Sequence, residues 1–122
     1  MVMWRCLIID DNAAFLDASS SLLQRQGMSV VGGASNGADG VRLAAELAPD
    51  LILLDIDLGA ESGFAVARQL AATNGASTRE VILISTHPED DFAELVEQSP
   101  TAGFIPKSDL SVEAIERLLN SD

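Results

Sequence analysis

The chain has 122 residues, of which 48% are hydrophobic and 21% are charged, and its formal net charge is −12. This length suits one domain spanning residues 1–122 around one core, and the composition excludes a disordered chain. Its 19 acidic residues against 7 basic ones argue against direct binding of nucleic acid, and no apolar run approaches the ~20 residues of a membrane-spanning helix.

The first residues and the cysteine content predict a cytosolic protein. Arg5 follows Met-Val-Met-Trp, and the apolar stretch after it already ends at Asp10. A secretory signal needs a longer apolar segment and a small-residue cleavage site. The single cysteine, Cys6, excludes an internal disulfide and is typical of a reducing compartment.

Five short apolar runs alternate with five segments in which apolar residues recur at helical spacing. In chain order the sequence predicts strand Cys6–Ile9, helix Ala13–Arg25, strand Met28–Gly33, helix Ala38–Leu47, strand Leu51–Leu54, helix Phe64–Ala72 ending near Asn74-Gly75, strand Val81–Ile84, helix Glu89–Gln98, strand Ala102–Ile105 and a last helix from Ser111.

Local signals support several of these boundaries. Gly27 follows the first helix as a C-terminal cap, and Ser111 is an N-cap for the last one. In the fourth helix, Phe92, Leu95 and Val96 form the apolar group that we expect to face the core.

The alternation of strands and helices predicts an α/β fold with a parallel sheet covered on both faces. Leu51–Leu54 and Val81–Ile84 are apolar without alternation, as central buried strands are. The fifth strand contains Pro106, which cannot donate a ladder hydrogen bond and so favours an edge. A doubly wound, flavodoxin-like (βα)5 sheet with strand order 2-1-3-4-5 satisfies both requirements.

Polar side chains follow the strands at the sheet edge where ligands of such folds bind. Asp10 and Asp11 follow the first strand, Asp55 the third and Ser85 the fourth, while Lys107, the only lysine, follows the fifth. Adjacent carboxylates repel one another, and a hard divalent cation such as Mg²⁺ relieves that repulsion. The sequence therefore predicts a magnesium site at this edge.

These motifs together resemble the receiver domains of two-component response regulators, the CheY-like proteins, over essentially the whole chain. The resemblance is carried by Leu7-Ile8-Ile9-Asp10-Asp11, Leu53-Leu54-Asp55, Leu83-Ile84-Ser85 and Gly103-Phe104-Ile105-Pro106-Lys107, with Gly63 matching a loop glycine. It implies a signalling switch that accepts a phosphoryl group from a sensor histidine kinase or phosphotransfer protein. The domain would catalyse only its own phosphoryl transfer and dephosphorylation and would not otherwise be an enzyme.

The resemblance also implies the roles of individual residues. Asp55 is then the phosphoacceptor. Mg²⁺ is held by Asp10, Asp11, Asp55 and the backbone carbonyl of Asp57. Ser85 and Lys107 contact the phosphoryl oxygens. Two further roles are implied: Ser85 and Phe104 act as the switch pair that changes the surface of the fourth helix, fifth strand and fifth helix, and Asp57 and His87 tune the phosphoryl lifetime.

Three positions depart from the family pattern. Gly59 stands where proline is frequent, which we expect to loosen the loop without removing a ligand. Ser108 replaces the proline that usually follows the lysine, so a cis peptide bond there would cost ~2.5–4 kcal/mol and is not assumed. Thr86 stands where a smaller residue is common, which we expect to narrow access to the site.

Two other functions stay open at this point. Asp55-Ile56-Asp57 resembles the nucleophile motif of haloacid dehalogenase-type phosphatases, although that motif normally closes the first strand of a longer chain. A degenerate receiver that only binds partners is the second alternative. The stretch from Gly103 to Leu110 resembles NarL/FixJ-type transcription regulators, which implies a helix-turn-helix output domain outside this chain; a homodimer is a further partner to test.

Overall fold

The computed structural model describes residues 4–74, 80–88 and 92–120, with the side chains of residues 73 and 74 excluded. Its elements are β1 (Arg5–Ile9), α1 (Ala13–Arg25), β2 (Ser29–Ala34), α2 (Gly37–Leu47), β3 (Leu51–Asp55), β4 (Asp57–Leu58), β5 (Glu61–Ser62), α3 (Gly63–Asn74), β6 (Glu80–Ser85), α4 (Ala93–Gln98), β7 (Gly103–Pro106), a 3₁₀ turn (Lys107–Asp109) and α5 (Val112–Leu119).

The five longer strands form one parallel sheet in the order β2-β1-β3-β6-β7. Because β6 and β7 are the fourth and fifth predicted strands, the predicted order 2-1-3-4-5 is confirmed. β7 lies at the edge that Pro106 requires, and β3 and β6 lie inside the sheet.

The central strand β3 faces two hydrophobic cores, one on each side of the sheet. Leu51 and Leu53 pack with Leu23 of α1 and Ile115 of α5, whereas Ile52 and Leu54 pack with residues of α2, α3 and α4. Since successive side chains of a strand point to opposite faces, a strand buried on both sides is apolar at every position. This explains the unbroken apolar run.

Local caps lie at several helix ends, and those at Gly27 and Ser111 were predicted from the sequence. The Asn12 side chain accepts a hydrogen bond from Phe15 N at the start of α1, and Ser111 accepts one from Ala114 N at the start of α5. Gly27, just beyond α1, has φ +96°, which a residue with a side chain rarely adopts.

The fourth helix differs from its prediction. The described part, α4, runs from Ala93 to Gln98, and residues 89–91 of the predicted helix lie outside the described residues, as does Gly75 after α3. Val96 is buried and Phe92 partly buried, but Leu95 is 51% exposed, so its predicted place in the core is wrong. Leu95 lies next to Val96 in a two-turn helix, and only one side of so short an element can face the sheet.

The longest helix in the described segments, α1, has 13 residues, and none of the helices there has the length and apolarity that crossing a bilayer requires.

Candidate functional site: an acidic cleft at the carboxyl ends of the strands

Four neighbouring strands bring polar residues together at one edge of the sheet, where three of them line a cleft and Asp10 lies buried beside Lys107. Asp10 follows β1, Asp55 ends β3, Ser85 ends β6 and Lys107 follows β7, and these strands are adjacent in that order. The convergence of these four side chains, predicted from the sequence, is therefore observed. The cleft has a volume of about 550 Å³ and is lined by Asp11, Asn12, Asp55, Ile56, Asp57, Ala60, Glu61, Ser62, Ser85, Thr86, His87, Phe92 and Lys107.

Three carboxylates converge closely enough to share a cation. Asp10, Asp11 and Asp55 each present an oxygen, and these oxygens lie within 4.8 Å of one another. Asp10 and Asp55 are buried, whereas Asp11 is exposed at the mouth of the cleft. Hard divalent cations prefer oxygen ligands, and Mg²⁺ tolerates a site with few protein ligands and several waters.

Asp10 is fully buried, and its two oxygens have different partners. Oδ1 accepts a hydrogen bond from Asn12 N at 2.9 Å. Oδ2 lies 2.6 Å from the Lys107 ammonium, but among the described residues it receives no hydrogen bond of acceptable geometry. A buried carboxylate oxygen held by charge alone can take a cation as ligand, so this residue fits a metal site.

Burial and the neighbouring carboxylate of Asp10 change the pKa of Asp55. Burial and, after it, the nearby charge of Asp10 together raise the pKa of its carboxyl from 3.8 to about 7, although Lys107 and the hydrogen bond from Asp57 N oppose the rise. Its Oδ1 accepts that bond at 3.2 Å, and its Oδ2 lies 3.5 Å from Lys107 Nζ. Without a second cation, the folded chain therefore favours the neutral carboxyl below about pH 7.

Lys107 is held by three groups. Besides Asp10 and Asp55, its Nζ lies 4.3 Å from the centroid of the Phe15 ring. Its side chain is only 10% exposed. The Lys107–Ser108 peptide bond is not cis, in agreement with the serine at position 108.

Ser85 lines the cleft and keeps its hydroxyl proton free of the hydrogen bond that it accepts. Its hydroxyl is buried, and its Oγ accepts a hydrogen bond from His87 N at 3.0 Å. That bond uses a lone pair and leaves the O–H proton for another acceptor. Thr86 and His87 are exposed, and the His87 ring stacks on Phe92 with centroids 6.1 Å apart and an interplanar angle of 2°.

Phe104 is buried in the core on the α2–α4 side of the sheet. In the β6–β7 ladder it lies opposite Leu83, and Pro106 lies opposite Ser85. Because positions two residues apart on a strand share a face, Ser85 and Phe104 are on the same side of the sheet.

The segment after Asp55 is a hairpin, and the geometry of its turn explains why glycine stands at position 59. β4 and β5 pair antiparallel around Gly59 and Ala60, and Gly59 has φ +73° while donating its N–H to Asp57 Oδ1 at 3.3 Å. A positive φ at the first position of a two-residue turn favours glycine and excludes proline.

The residue type at position 63 is restricted by the backbone at the end of β3. A Cβ at this position would collide with the Asp55 carbonyl oxygen and would lie 2.7 Å from Ile56 Cα. Gly63 N donates a hydrogen bond to the Ile56 carbonyl at 2.7 Å. The first residue of α3 therefore lies in direct contact with the backbone that follows β3. The match of Gly63 to the family glycine thus has a steric cause.

Two contacts of this region were not anticipated from the sequence. One is the Phe15 ring beside Lys107, and the other is Glu61, whose carboxylate accepts a hydrogen bond from Gly37 N at 2.8 Å. Asn12 three residues before Phe15 is a readable capping signal, but nothing local indicates where the ring lies.

The sequence and structure of this chain are similar to those of known receivers. The response regulator receiver domain family matches residues 6–119. The transcription regulator BvgA of Bordetella pertussis is 33% identical over 111 residues, 91% of this chain and 52% of its own length. LiaR of Bacillus subtilis is 30% identical over 123 residues, 95% of this chain and 54% of its own. The chain thus spans about half the length of these relatives.

A solved structure agrees with the fold. The signal receiver domain of NarL from Mycobacterium tuberculosis superposes with a TM-score of 0.82 at 25% identity, covering 98% of this chain and 99% of that one.

Proposed function

The chain belongs to the response regulator receiver domains of two-component systems, and from this premise we propose that it is a phosphorylation-dependent switch whose phosphoryl group is carried by Asp55. The observation that supports this most strongly is the position of Asp55. Its carboxylate is buried at the end of β3, within reach of two further carboxylates and of the one lysine.

In the proposed reaction an oxygen of Asp55 attacks the phosphorus of a phosphohistidine in a sensor kinase or phosphotransfer protein. A P–O bond forms as the P–N bond breaks, and the imidazole leaves with the electron pair. The attacking carboxylate must be ionised, although burial raises the pKa of Asp55 to about 7. A cation beside it favours the ionised form.

The proposed Mg²⁺ ligands are Asp10, Asp11, Asp55 and the Asp57 carbonyl. The convergence of the three carboxylates within 4.8 Å and the buried Asp10 Oδ2 support this assignment. When bound, the ion neutralises negative charge on the carboxylates and on the transferred phosphoryl group.

Ser85 and Lys107 complete the proposed site by donating to phosphoryl oxygens. The Ser85 O–H is available because its Oγ already accepts from His87 N. A phosphoryl group adds about −2 charge and three strong acceptors. We propose that Ser85 moves toward it and that Phe104, on the same face, fills the vacated space, which changes the surface of α4, β7 and α5.

Intact-protein mass spectrometry after incubation with acetyl phosphate and Mg²⁺ tests the acceptor. We expect one added phosphoryl group in the native chain and none in Asp55→Asn. Asp57→Asn is the matched control, because it removes a neighbouring carboxylate of the same cleft and should still be labelled. Labelling that persists in Asp55→Asn would place the acceptor elsewhere. Absence of labelling in every variant would favour a receiver that only binds partners.

The phosphatase alternative loses support because Asp55-Ile56-Asp57 follows the third strand of a receiver domain, whereas the phosphatase motif closes a first strand. Sustained turnover of p-nitrophenyl phosphate would restore it.

The phosphoryl lifetime is a second proposed property of the cleft. Asp57 and His87 both line it, and the His87 ring stacks on Phe92. We propose that this pair sets the rate of dephosphorylation. An unchanged decay rate in the double variant Asp57→Asn/His87→Ala would contradict this.

The output of the switch is proposed by analogy with its relatives. BvgA and LiaR are transcription regulators of about twice this chain's length. We propose that this receiver acts in the cytosol and controls a helix-turn-helix output domain, with homodimerisation as one route. The acidic surface argues against nucleic acid binding by the receiver itself.

A further inference from the structure

The ammonium of Lys107 contacts the ring of Phe15 as well as the carboxylates of Asp10 and Asp55. Phe15 lies in the first turn of α1, and its ring centroid is 4.3 Å from Lys107 Nζ. The lysine side chain is 10% exposed, so the contact is largely shielded from water. A shielded cation over an aromatic face is attracted by the ring quadrupole more strongly than an exposed one.

The position of Phe15 is tied to the acidic site through its own backbone. Asp10 Oδ1 accepts from Asn12 N at 2.9 Å, and Asn12 Oδ1 accepts from Phe15 N at 3.1 Å. The Phe15 ring contacts Lys107, and the Lys107 Nζ lies 2.6 Å from Asp10 Oδ2. These contacts connect the four residues in a ring that begins and ends at the Asp10 carboxylate.

The two kinds of partner respond differently to a divalent cation. Asp10 is both a contact of Lys107 and a proposed metal ligand, so a bound cation competes with the ammonium for its charge. The Phe15 ring is not a ligand for a hard cation. It can therefore keep its contact with the ammonium when Asp10 no longer holds it.

We propose that Phe15 is a positioning residue for Lys107, holding the ammonium beside Asp55 when the carboxylate of Asp10 is engaged by Mg²⁺. A simpler role for Phe15 is core packing, since its partly buried ring also packs against the core on the α1–α5 side. Leucine fills such a position without an aromatic face, so the two roles can be separated by substitution.

The single lysine allows a direct spectroscopic test. Labelling the chain with [¹³Cε]lysine gives one side-chain signal, because Lys107 is the only lysine. A ring beside the ammonium shifts the Lys107 ε-proton and carbon resonances. We expect Phe15→Leu to remove this shift with and without Mg²⁺, and Phe15→Tyr to retain it. Phe92→Leu is the control, because its ring contacts are with His87 and Phe64.

The second readout rests on the proposed function. The initial rate of phosphorylation by acetyl phosphate with Mg²⁺ should fall about three- to tenfold in Phe15→Leu, as the loss of one shielded cation–π contact implies. Phe15→Tyr should restore it. Amide spectra establish that each variant is folded, and Phe15→Met serves in place of Phe15→Leu if the latter is not.

The outcomes separate this proposal from the function on which it rests. A Lys107 resonance in Phe15→Leu identical to that of the native chain would overturn the contact. A shifted resonance with an unchanged rate would overturn the positioning role. Failure of the native chain to be phosphorylated would contradict the proposed function, and the positioning role with it, while the spectra would still decide whether the contact exists.

Discussion

The ammonium nitrogen of Lys107 lies 2.6 Å from Asp10 Oδ2, closer than the 3.5 Å that separates it from Asp55 Oδ2. The lysine thus neutralises part of the negative charge of Asp10 that would otherwise attract a metal ion. It forms its nearer contact with a proposed metal ligand and its longer one with the proposed acceptor, so we expect metal binding to change the placement of the lysine.

Removing this lysine should tighten Mg²⁺ binding while impairing phosphorylation. In Lys107→Ala the cation no longer competes for Asp10, so we expect the Mg²⁺ dissociation constant, measured by calorimetry, to fall about three- to tenfold. Arg117→Ala is the control, since it removes the same charge from an exposed pair with Glu113. An equal change in both variants would mean that net charge, not competition at Asp10, controls the affinity.

The raised pKa of Asp55 predicts a pH-dependent stability in the absence of Mg²⁺. The folded chain holds this proton more tightly than the unfolded chain, whose pKa is near 3.8. The resulting stabilisation is complete below pH 3.8 and is lost as the pH rises to about 7.

Asp55→Asn, which stays neutral, should therefore be more stable than the native chain above pH 7, by a few kcal/mol, and nearly equal to it below pH 3.8. Urea unfolding at the two pH values measures the difference. Added Mg²⁺ should reduce the advantage of the variant at high pH, because the ion relieves the same repulsion. A pH-independent difference would contradict the shifted pKa.

Gly63→Ala should destabilise the fold by about 3 kcal/mol, because the new Cβ collides with backbone that cannot rotate away. The urea midpoint gives the change in the free energy of unfolding. Gly33→Ala is the control: a Cβ there meets Leu16 and the Ile8 carbonyl at 3.6 and 3.8 Å, which is ordinary contact. Equal losses in both variants would exclude the steric explanation.

Glu61 connects the hairpin after Asp55 to the start of α2. Its Oε1 accepts a hydrogen bond from Gly37 N at 2.8 Å. Gly37 is the first residue of α2, so its N–H has no acceptor within the helix and lies at the positive end of the helix dipole. Glu61→Ala should cost about 1 kcal/mol of unfolding free energy, and Glu61→Gln less, since the amide oxygen still accepts. Glu113→Ala, from an exposed pair, should stay within about 0.5 kcal/mol. A loss in Glu113→Ala as large as in Glu61→Ala would contradict the capping role.

The sequence by itself determined the architecture and the convergence of four polar residues at one edge of the sheet. Alternating apolar runs and helical segments predict the five-stranded parallel sheet. The carboxyl ends of parallel strands lie at the same edge of the sheet. Asp10, Asp55, Ser85 and Lys107 each follow or end a strand, so their convergence follows from chain direction alone. Helix α1 begins and ends where it was predicted, and Gly27 is the local signal for its end.

Only the tertiary structure decided how these groups pair. Lys107 and Asp55 are 52 residues apart, and Glu61 and Gly37 are 24 apart. The period of a helix or strand carries no information about which side chains meet across such distances. The preference of Lys107 for Asp10, the Phe15 ring beneath it and the exposure of Leu95 all result from packing after the sheet has formed.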